Sequence, residues 1–278
     1  MPDNHIQTTA LSGQVAVITA GSTGFGRAIA QSFAMQGAAV VIADLTEARA
    51  AGNFDEMPEL STTEWIVRDG GKAFFQTCDV RVEADVKSLF EATVARFGRL
   101  DILVNNAGVW RGGAPLHQLS VDDLEACLAV QVRGSWLCAQ AAVRQFLHQG
   151  TGGNIINLVS TAGLRAHQGQ APYNLAKAAQ ASLTQCLAIE YASAGIRSNA
   201  ICPTYVKTSM SRGGVESPVM GKAVPELIPL GRWGEISDVV NAARFLASPD
   251  ASFMTGVLLP VDGGELLTGL LPWGGVQG

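Results

Sequence analysis

The chain runs to 278 residues, 47% hydrophobic and 15% charged, so one large α/β domain or two small ones could bury a substantial core. Its formal net charge of −5 offers no footprint for nucleic acid or for an anionic membrane surface. Cys78, Cys127, Cys138, Cys186 and Cys202 form no CxxC and no Cys/His cluster, which excludes a disulfide framework or a metal site and predicts free thiols in a reducing compartment.

The start, MPDNHIQTTALSGQ, has neither the basic nor the apolar region of a secretory leader. No apolar run approaches the roughly 20 residues of a membrane span, so a soluble cytoplasmic protein is expected. Residues 1–12 read as a loose polar arm. QVAVITA (14–20) reads as a buried strand leading into glycines and a helical run, with Gly37 as the helix stop. AAVVIAD (38–44) and AFFQTCDV (73–80) are the next two strands. The segment between them is longer than a crossover needs; in it Ser61 and Glu64 make a capping box opening a short helix that carries Trp65 and ends at Gly70. DVKSLFEATVARFG is an amphipathic helix, LDILVNNAG (100–108) a fourth strand and 121–149 a long helix. Then come strand 154–160, helix 172–194, strand 196–202, an irregular stretch to about 233, a helix near 236–247 and a strand at 256–262. Short apolar strands alternating with helices predict a parallel sheet covered on both faces. The fold class is therefore α/β, a single doubly wound Rossmann-type domain over 13–264 with an apolar tail at 265–278.

ITAGSTGFG (18–26) sits at the first strand–helix junction, where Gly21, Ser22, Thr23, Gly24, Phe25 and Gly26 can turn tightly and present helix N–H groups to a pyrophosphate. A glycine cluster alone is weak; its position gives it weight. Asp44 ends the second strand, where a carboxylate accepts from ribose hydroxyls and repels a 2′-phosphate. Thr23 and Leu45 supply no positive charge nearby, so NAD is favoured over NADP.

APYNLAKAAQ (171–180) places Tyr173 and Lys177 four residues apart on one helix face. Ser160 ends a strand thirteen residues before Tyr173. A phenol has a pKa near 10, and lowering it by about 3 units takes roughly 4 kcal/mol of preferential stabilisation of the phenolate. A neighbouring ammonium can supply part of that field.

With these motifs in order, and with NNAG (105–108), IRSNAICP (196–203) and LGRWG…VDGG (230–264), the chain resembles the short-chain dehydrogenase/reductase family of the common single-domain type. The resemblance covers about residues 13–264 and implies an NAD-dependent oxidoreductase interconverting a secondary alcohol and a ketone. It implies Tyr173 as base, Lys177 as its tuner and a ribose ligand, and Ser160 as the hold on the substrate oxygen. Asp79 and Val80 would bracket the adenine, Asn106, Ala107 and Gly108 would line the cofactor cleft, and Pro203, Val206 and Thr208 would meet the nicotinamide. The family pairs its long helices between subunits, so a homotetramer is expected, with the tail at a subunit interface.

Three positions depart from the family pattern. Ala20 replaces a turn glycine, tolerable at negative φ. Thr204 follows Pro203 where glycine is usual. Gln131 stands where the family has a catalytic asparagine in a proton relay, and the expectation is that the relay survives with Gln131 in it. Trp110, Arg111, Arg165, His167, Gln168, Gln170 and Arg212 would make the substrate mouth polar, suiting a sugar, polyol or hydroxy acid. Two other readings stay open: a retained cofactor serving an external redox partner, suggested by the enlarged segment after Asp44, and a non-catalytic dinucleotide sensor.

Overall fold

Val15–Thr19 (β1) is buried along its whole length, and its neighbours on both sides run parallel to it. The computed structural model describes residues 10–48 and 54–268. Within them Ala39–Asp44 (β2), Lys72–Thr77 (β3), Ile102–Asn105 (β4), Gly153–Leu158 (β5), Ile196–Pro203 (β6) and Leu258–Val261 (β7) complete a sheet in the order β3-β2-β1-β4-β5-β6-β7. The strand order reverses between β1 and β4, the kind of switch point beyond whose strand ends ligands bind in open α/β sheets. Helices Gly24–Met35 (α1), Thr62–Arg68 (α2) and Glu83–Phe97 (α3) precede that crossing in the chain. Val121–Cys127 (α4), Ser135–Gln149 (α5) and Ala171–Tyr191 (α6) follow it, then Arg212–Glu216 (α7), Met220–Leu227 (α8) and Ile236–Ala247 (α9).

Alternate residues of the central strands feed opposite faces of the sheet. Ala16, Ile18, Val40 and Ile42 join Ile29 and Phe33 of α1 and Val239 and Leu246 of α9 in one core. Val17, Val41 and Leu103 join Leu89 and Phe90 of α3 and Cys138, Ala142 and Phe146 of α5 in the other. No helix among the described residues is long and apolar enough to cross a membrane. Cys78, Cys127, Cys138 and Cys202 are buried free thiols and Cys186 is exposed.

Four expectations change. Leu11 is fully buried and its N–H donates to Gln36 O at 3.0 Å, so the packed chain begins before residue 13. Strand β4 ends at Asn105, because the Asn106 N–H turns back to Val104 O at 3.1 Å. The stretch before 233 is not wholly irregular: it carries α7 and α8. The long helix is regular only at its ends, and Leu128–Gly134 widens to π geometry, a local expansion that marks functional sites. Of the tail, Glu265 is buried, and residues 269–278 lie outside the described residues.

The enlarged segment after β2 is pinned onto α1. Ser61 and Glu64 form the reciprocal cap of α2, whose Trp65 is buried. Arg27 of α1, 1% exposed, lies over the Trp65 ring at 4.8 Å. Its guanidinium donates to Glu56 O at 3.2 Å, Met57 O at 2.9 Å and Thr62 Oγ1 at 3.2 Å. Thr62 Oγ1 in turn donates to Gly21 O at 2.9 Å, tying the segment to the glycine turn. Arg27→Leu keeps apolar bulk but strands those acceptors, so a loss of about 3 kcal/mol is expected, a drop of about 6–12 °C in Tm. Thermal unfolding checks this; a change under about 2 °C would show that the segment is not anchored there.

Candidate active site

The first turn is built around a tight approach. Gly26 enters α1 beneath Ala20, and a Cβ on it would lie 2.2 Å from Ala20 O and 2.6 Å from Asn106 Nδ2. Asn106 Nδ2 donates to Thr19 O at 3.0 Å and Ala20 O at 3.1 Å. The N–H groups of Asn106 and Ala107 both donate to Thr19 Oγ1 at 3.0 Å. The loop after β4 thus clamps the loop after β1. Ala20 sits at φ 50°, in the left-handed region, so the expectation of a negative φ is corrected. The Asn106 contacts hold it there. Gly24 is at φ 54° with open space where its Cβ would be, and Thr23 precedes it as an extended N-cap.

At the end of β2 Asp44 braces this turn: Oδ2 accepts from Ser22 N–H at 3.0 Å and Oδ1 from Leu45 N–H at 2.8 Å. Each oxygen keeps a further acceptor site for a ribose hydroxyl. Leu45 is exposed. Asp55, which the sequence did not single out, accepts from Gly24 N–H at 3.0 Å, at the helix end where a pyrophosphate was expected. Asp79 is paired with Arg81 at 2.6 Å, which holds its carboxyl below the usual range, and Val80 is buried beneath it. The tight glycine turn, a carboxylate at the end of β2 and a cavity running from Phe25 to Tyr173 fit a dinucleotide, whose pyrophosphate would have to take the place of Asp55 at the Gly24 N–H.

Ser160 and Tyr173 line that cavity together. Ser160 Oγ accepts from Ala162 N–H at 3.1 Å and donates to Pro203 O at 3.2 Å, which fixes the hydroxyl at the end of β5. The Tyr173 phenol is pushed up to about 12 by loss of water, and the Ser160 hydroxyl pulls it partly back. Lys177, with its ammonium 5.6 Å from the Tyr173 ring centroid, is pulled down to about 7 by burial. Gly108 is close by, since a Cβ there would lie 3.8 Å from Lys177 Nζ.

Gln131 lies on the π-helical segment and is fully buried. Its Nε2 donates to Val109 O at 2.9 Å and its Oε1 accepts from Val109 N–H at 3.1 Å. The extra methylene lets the amide grip one residue's backbone from both sides. In the structure the Gln131 side chain holds the loop after β4, and the amide that touches Lys177 is Gln180.

The cavity measures about 430 Å³, in the usual range for a small-molecule site. Pro203, Val206 and Thr208 line it, together with Trp110, Tyr205, Trp233, Met210 and Met220. Of the expected mouth residues only Trp110, His167 and Gln170 line it; Trp110 Nε1 donates to Gln170 Oε1 at 3.3 Å. The arginine-lined mouth is not there. Arg165 turns onto buried Glu265, Arg111 donates to Trp110 O and lies 3.8 Å from Asp123, and Arg212 pairs with Glu216 at 3.6 Å. Gln168 is exposed outside it. Arg165 is taken by an acceptor a hundred residues on, whereas Arg111 and Arg212 find acceptors among their near neighbours in the chain. His167 stacks on Tyr205 with centroids 6.0 Å apart, and burial lowers its pKa against the opposing pull of Glu265. Among the described residues no cluster of His, Cys, Asp and Glu could hold a metal ion.

A parallel sheet with a glycine turn at its switch point, and Ser160, Tyr173 and Lys177 gathered beside it, defines a dinucleotide-dependent oxidoreductase. Residues 19–265 match the family model described as enoyl-(acyl carrier protein) reductase. Over 258 residues the chain is 39% identical to 4-formylbenzenesulfonate dehydrogenase TsaC1/TsaC2 of Comamonas testosteroni, covering 92% of this chain and 98% of that one. It is 36% identical over 256 residues to cis-4-hydroxycyclohexanecarboxylate dehydrogenase of Sinomonas cyclohexanicum, covering 92% and 97%. Among solved structures, gluconate 5-dehydrogenase from Burkholderia cenocepacia J2315, in complex with NADP and tartrate, superposes with a TM-score of 0.85 at 35% identity, covering 94% and 98%. The chain belongs to the short-chain dehydrogenase/reductase family, oxidoreductases that act on CH–OH groups with a nicotinamide dinucleotide.

Proposed function

We propose that the protein is an NAD-dependent dehydrogenase that oxidises a secondary alcohol on a ring-sized substrate, largely apolar with one polar edge. The observation that carries this reading is the cavity beside Ser160 and Tyr173, walled by Trp110, Tyr205 and Trp233 and edged by His167 and Gln170. The sugar, polyol or hydroxy-acid class drawn from the sequence rested on arginines that turn elsewhere, so it becomes the opposing arm of the test. Two relatives act, by name, on ring compounds bearing an acidic group, which accords with an apolar body and a polar edge.

In this reading Tyr173 takes the hydroxyl proton, Lys177 stabilises the phenolate, and Ser160 holds the substrate oxygen. A bound nicotinamide supplies the hydride acceptor. Asp44 favours NAD, because a 2′-phosphate would meet its carboxylate, and Arg27 is committed to the segment below. Exposed Leu128, Trp136, Leu147, Leu175 and Ile189 support a homotetramer built on the long helices.

The test is growth of NADH absorbance with NAD and NADP in parallel, across substituted cyclohexanols, benzylic secondary alcohols and gluconate. Turnover of a ring alcohol is expected, with kcat/KM about a hundredfold higher for NAD, equivalent to about 2.7 kcal/mol. Gluconate as the best substrate, or NADP at parity, would overturn the reading. The packing of residues 54–62 on the glycine turn favours one second reading, a retained cofactor that serves an external redox partner. Cofactor that copurifies and fails to exchange with added NAD is its signature.

A further inference from the structure

Lys177 is held by a side chain to which neither the sequence motifs nor the reaction scheme gives a part. Its Nζ donates to Leu158 O at 2.6 Å and to Gln180 Oε1 at 2.8 Å. Gln180 lies three residues further along α6 and is 1% exposed. Its other amide end is committed too: Nε2 donates at 2.7 Å to Ser135 Oγ, on the first residue of α5. A flipped amide would set its NH₂ against an ammonium, so the two partners fix its orientation. Ser135 is itself buried, and its backbone oxygen accepts from Asn105 Nδ2 at 3.3 Å. Asn105 Nδ2 also reaches Asn157 Oδ1 at 3.0 Å, and Asn157 Nδ2 donates to Thr184 Oγ1 at 2.9 Å. The chain from Lys177 thus ends in a rigid polar core, where a buried acceptor has a fixed direction.

What else faces the ammonium is uncharged at neutral pH. Tyr173 stands on its own helix, Cys127 at the end of α4 and Cys202 on β6. Burial pushes both thiols up, Cys202 to about 12, so they remain protonated. No carboxylate acts on Lys177 among the described residues. The acceptors that favour its charged form are Leu158 O, a backbone carbonyl that any residue there would supply, and Gln180 Oε1, a side-chain oxygen particular to this sequence.

We propose that Gln180, anchored by Ser135, is a positioning residue for the reaction: it holds the Lys177 ammonium charged and in register beside Tyr173. Lys177 has three donor hydrogens; two are spent on Leu158 and Gln180, leaving one for the cofactor side or the phenol. The inference rests on Lys177 tuning Tyr173, and it is independent of which alcohol is the substrate.

The first test needs neither cofactor nor substrate. Enzyme labelled with ¹³C at lysine Cε is titrated by NMR, with the Lys177 signal assigned by its loss in Lys177→Arg. Lys72, Lys87, Lys207 and Lys222 serve as internal references nearer the surface. Gln180→Leu removes the acceptor at similar volume and is expected to lower the Lys177 midpoint by about one pH unit, because the charged form loses a partner. Gln180→Glu is expected to raise it. In assays with the best alcohol of the panel, Gln180→Leu should reduce kcat at pH 8 about tenfold while the NADH dissociation constant, read by fluorescence, stays within about threefold. Should Gln180→Leu fail to fold, Ser135→Ala keeps the glutamine but releases its anchor, and a downward shift of about half a unit is expected. A Lys177 midpoint that stays put in the folded variants would overturn the proposal, even if Tm and kcat both fell, since that pattern is purely structural. A shifted midpoint in an enzyme that turns over no alcohol would support the positioning role and overturn the proposed substrate instead.

Discussion

Tyr173→Phe is expected to lower kcat by about 10³–10⁴-fold while leaving NADH affinity within about threefold. The substitution removes one oxygen and leaves the ring where it packs, 5.6 Å from the Lys177 ammonium. What is lost, in the proposed reaction, is the proton acceptor. Burial pushes the phenol up to about 12 and pulls the lysine down to about 7, each toward its neutral form. A neutral phenol beside a neutral amine is an inert pair near pH 9. A positive charge brought close to the phenol favours phenolate, and a charged Lys177 does the same. The direction follows. Alcohol oxidation by the parent should rise with pH through the midpoint of the phenol in the loaded enzyme, and the residual activity of Tyr173→Phe should lack that limb. Steady-state rates from pH 6 to 10 check this. A surviving alkaline limb in the variant would place the base elsewhere, and unchanged turnover would remove Tyr173 from the chemistry.

Much of the fold was legible because apolar runs of four to eight residues punctuated by glycine leave little freedom. VAVIT and AVVIAD could only be buried strands, and the spacing of Gly21, Gly24 and Gly26 placed the first turn. Spacing alone put Tyr173 and Lys177 on one helix face, while the part given to them and to Ser160 came from the family resemblance; the structure brings Ser160 and Tyr173 into one cavity. What escaped were features decided by contacts between distant segments. Arg165 reads as a polar mouth residue until Glu265, a hundred positions on, is seen to capture it. Nothing in the sequence at Gln131 shows that the π-helical turn aims its amide at Val109. Gln180 reads as one more polar residue in an alanine-rich helix. Its partner Ser135 belongs to another helix, and only the packing of α5 against α6 brings the two within 2.7 Å. Ala20 shows the same limit in the backbone, since a positive φ on alanine costs about 1–2 kcal/mol and is held in place by a side chain from a different loop.

That turn carries the second large effect. Gly26→Ala is expected to weaken NADH binding by a hundredfold or more, about 2.7 kcal/mol, and to lower Tm by several degrees. The added methyl would sit 2.2 Å from Ala20 O and 2.6 Å from Asn106 Nδ2, and neither atom is the free end of a flexible side chain. Ala20 O is backbone, and Asn106 Nδ2 is tied to the carbonyls of both Thr19 and Ala20. Relief therefore means lifting α1 away from β1 or breaking the clamp between the two loops. Either change moves the N–H groups and the Asp44 carboxylate that shape the cofactor end of the cleft. Gly24→Ala is the control, because its Cβ would meet nothing within 4 Å and its cost is confined to the positive φ. Ala20→Gly should act in the opposite sense, relieving the left-handed alanine and raising stability by up to about 1 kcal/mol without loss of NADH affinity. Fluorescence titration of NADH with thermal melts on the three variants separates the causes. If Gly26→Ala bound NADH as the parent does, the turn would be plastic and the clamp by Asn106 would not hold it.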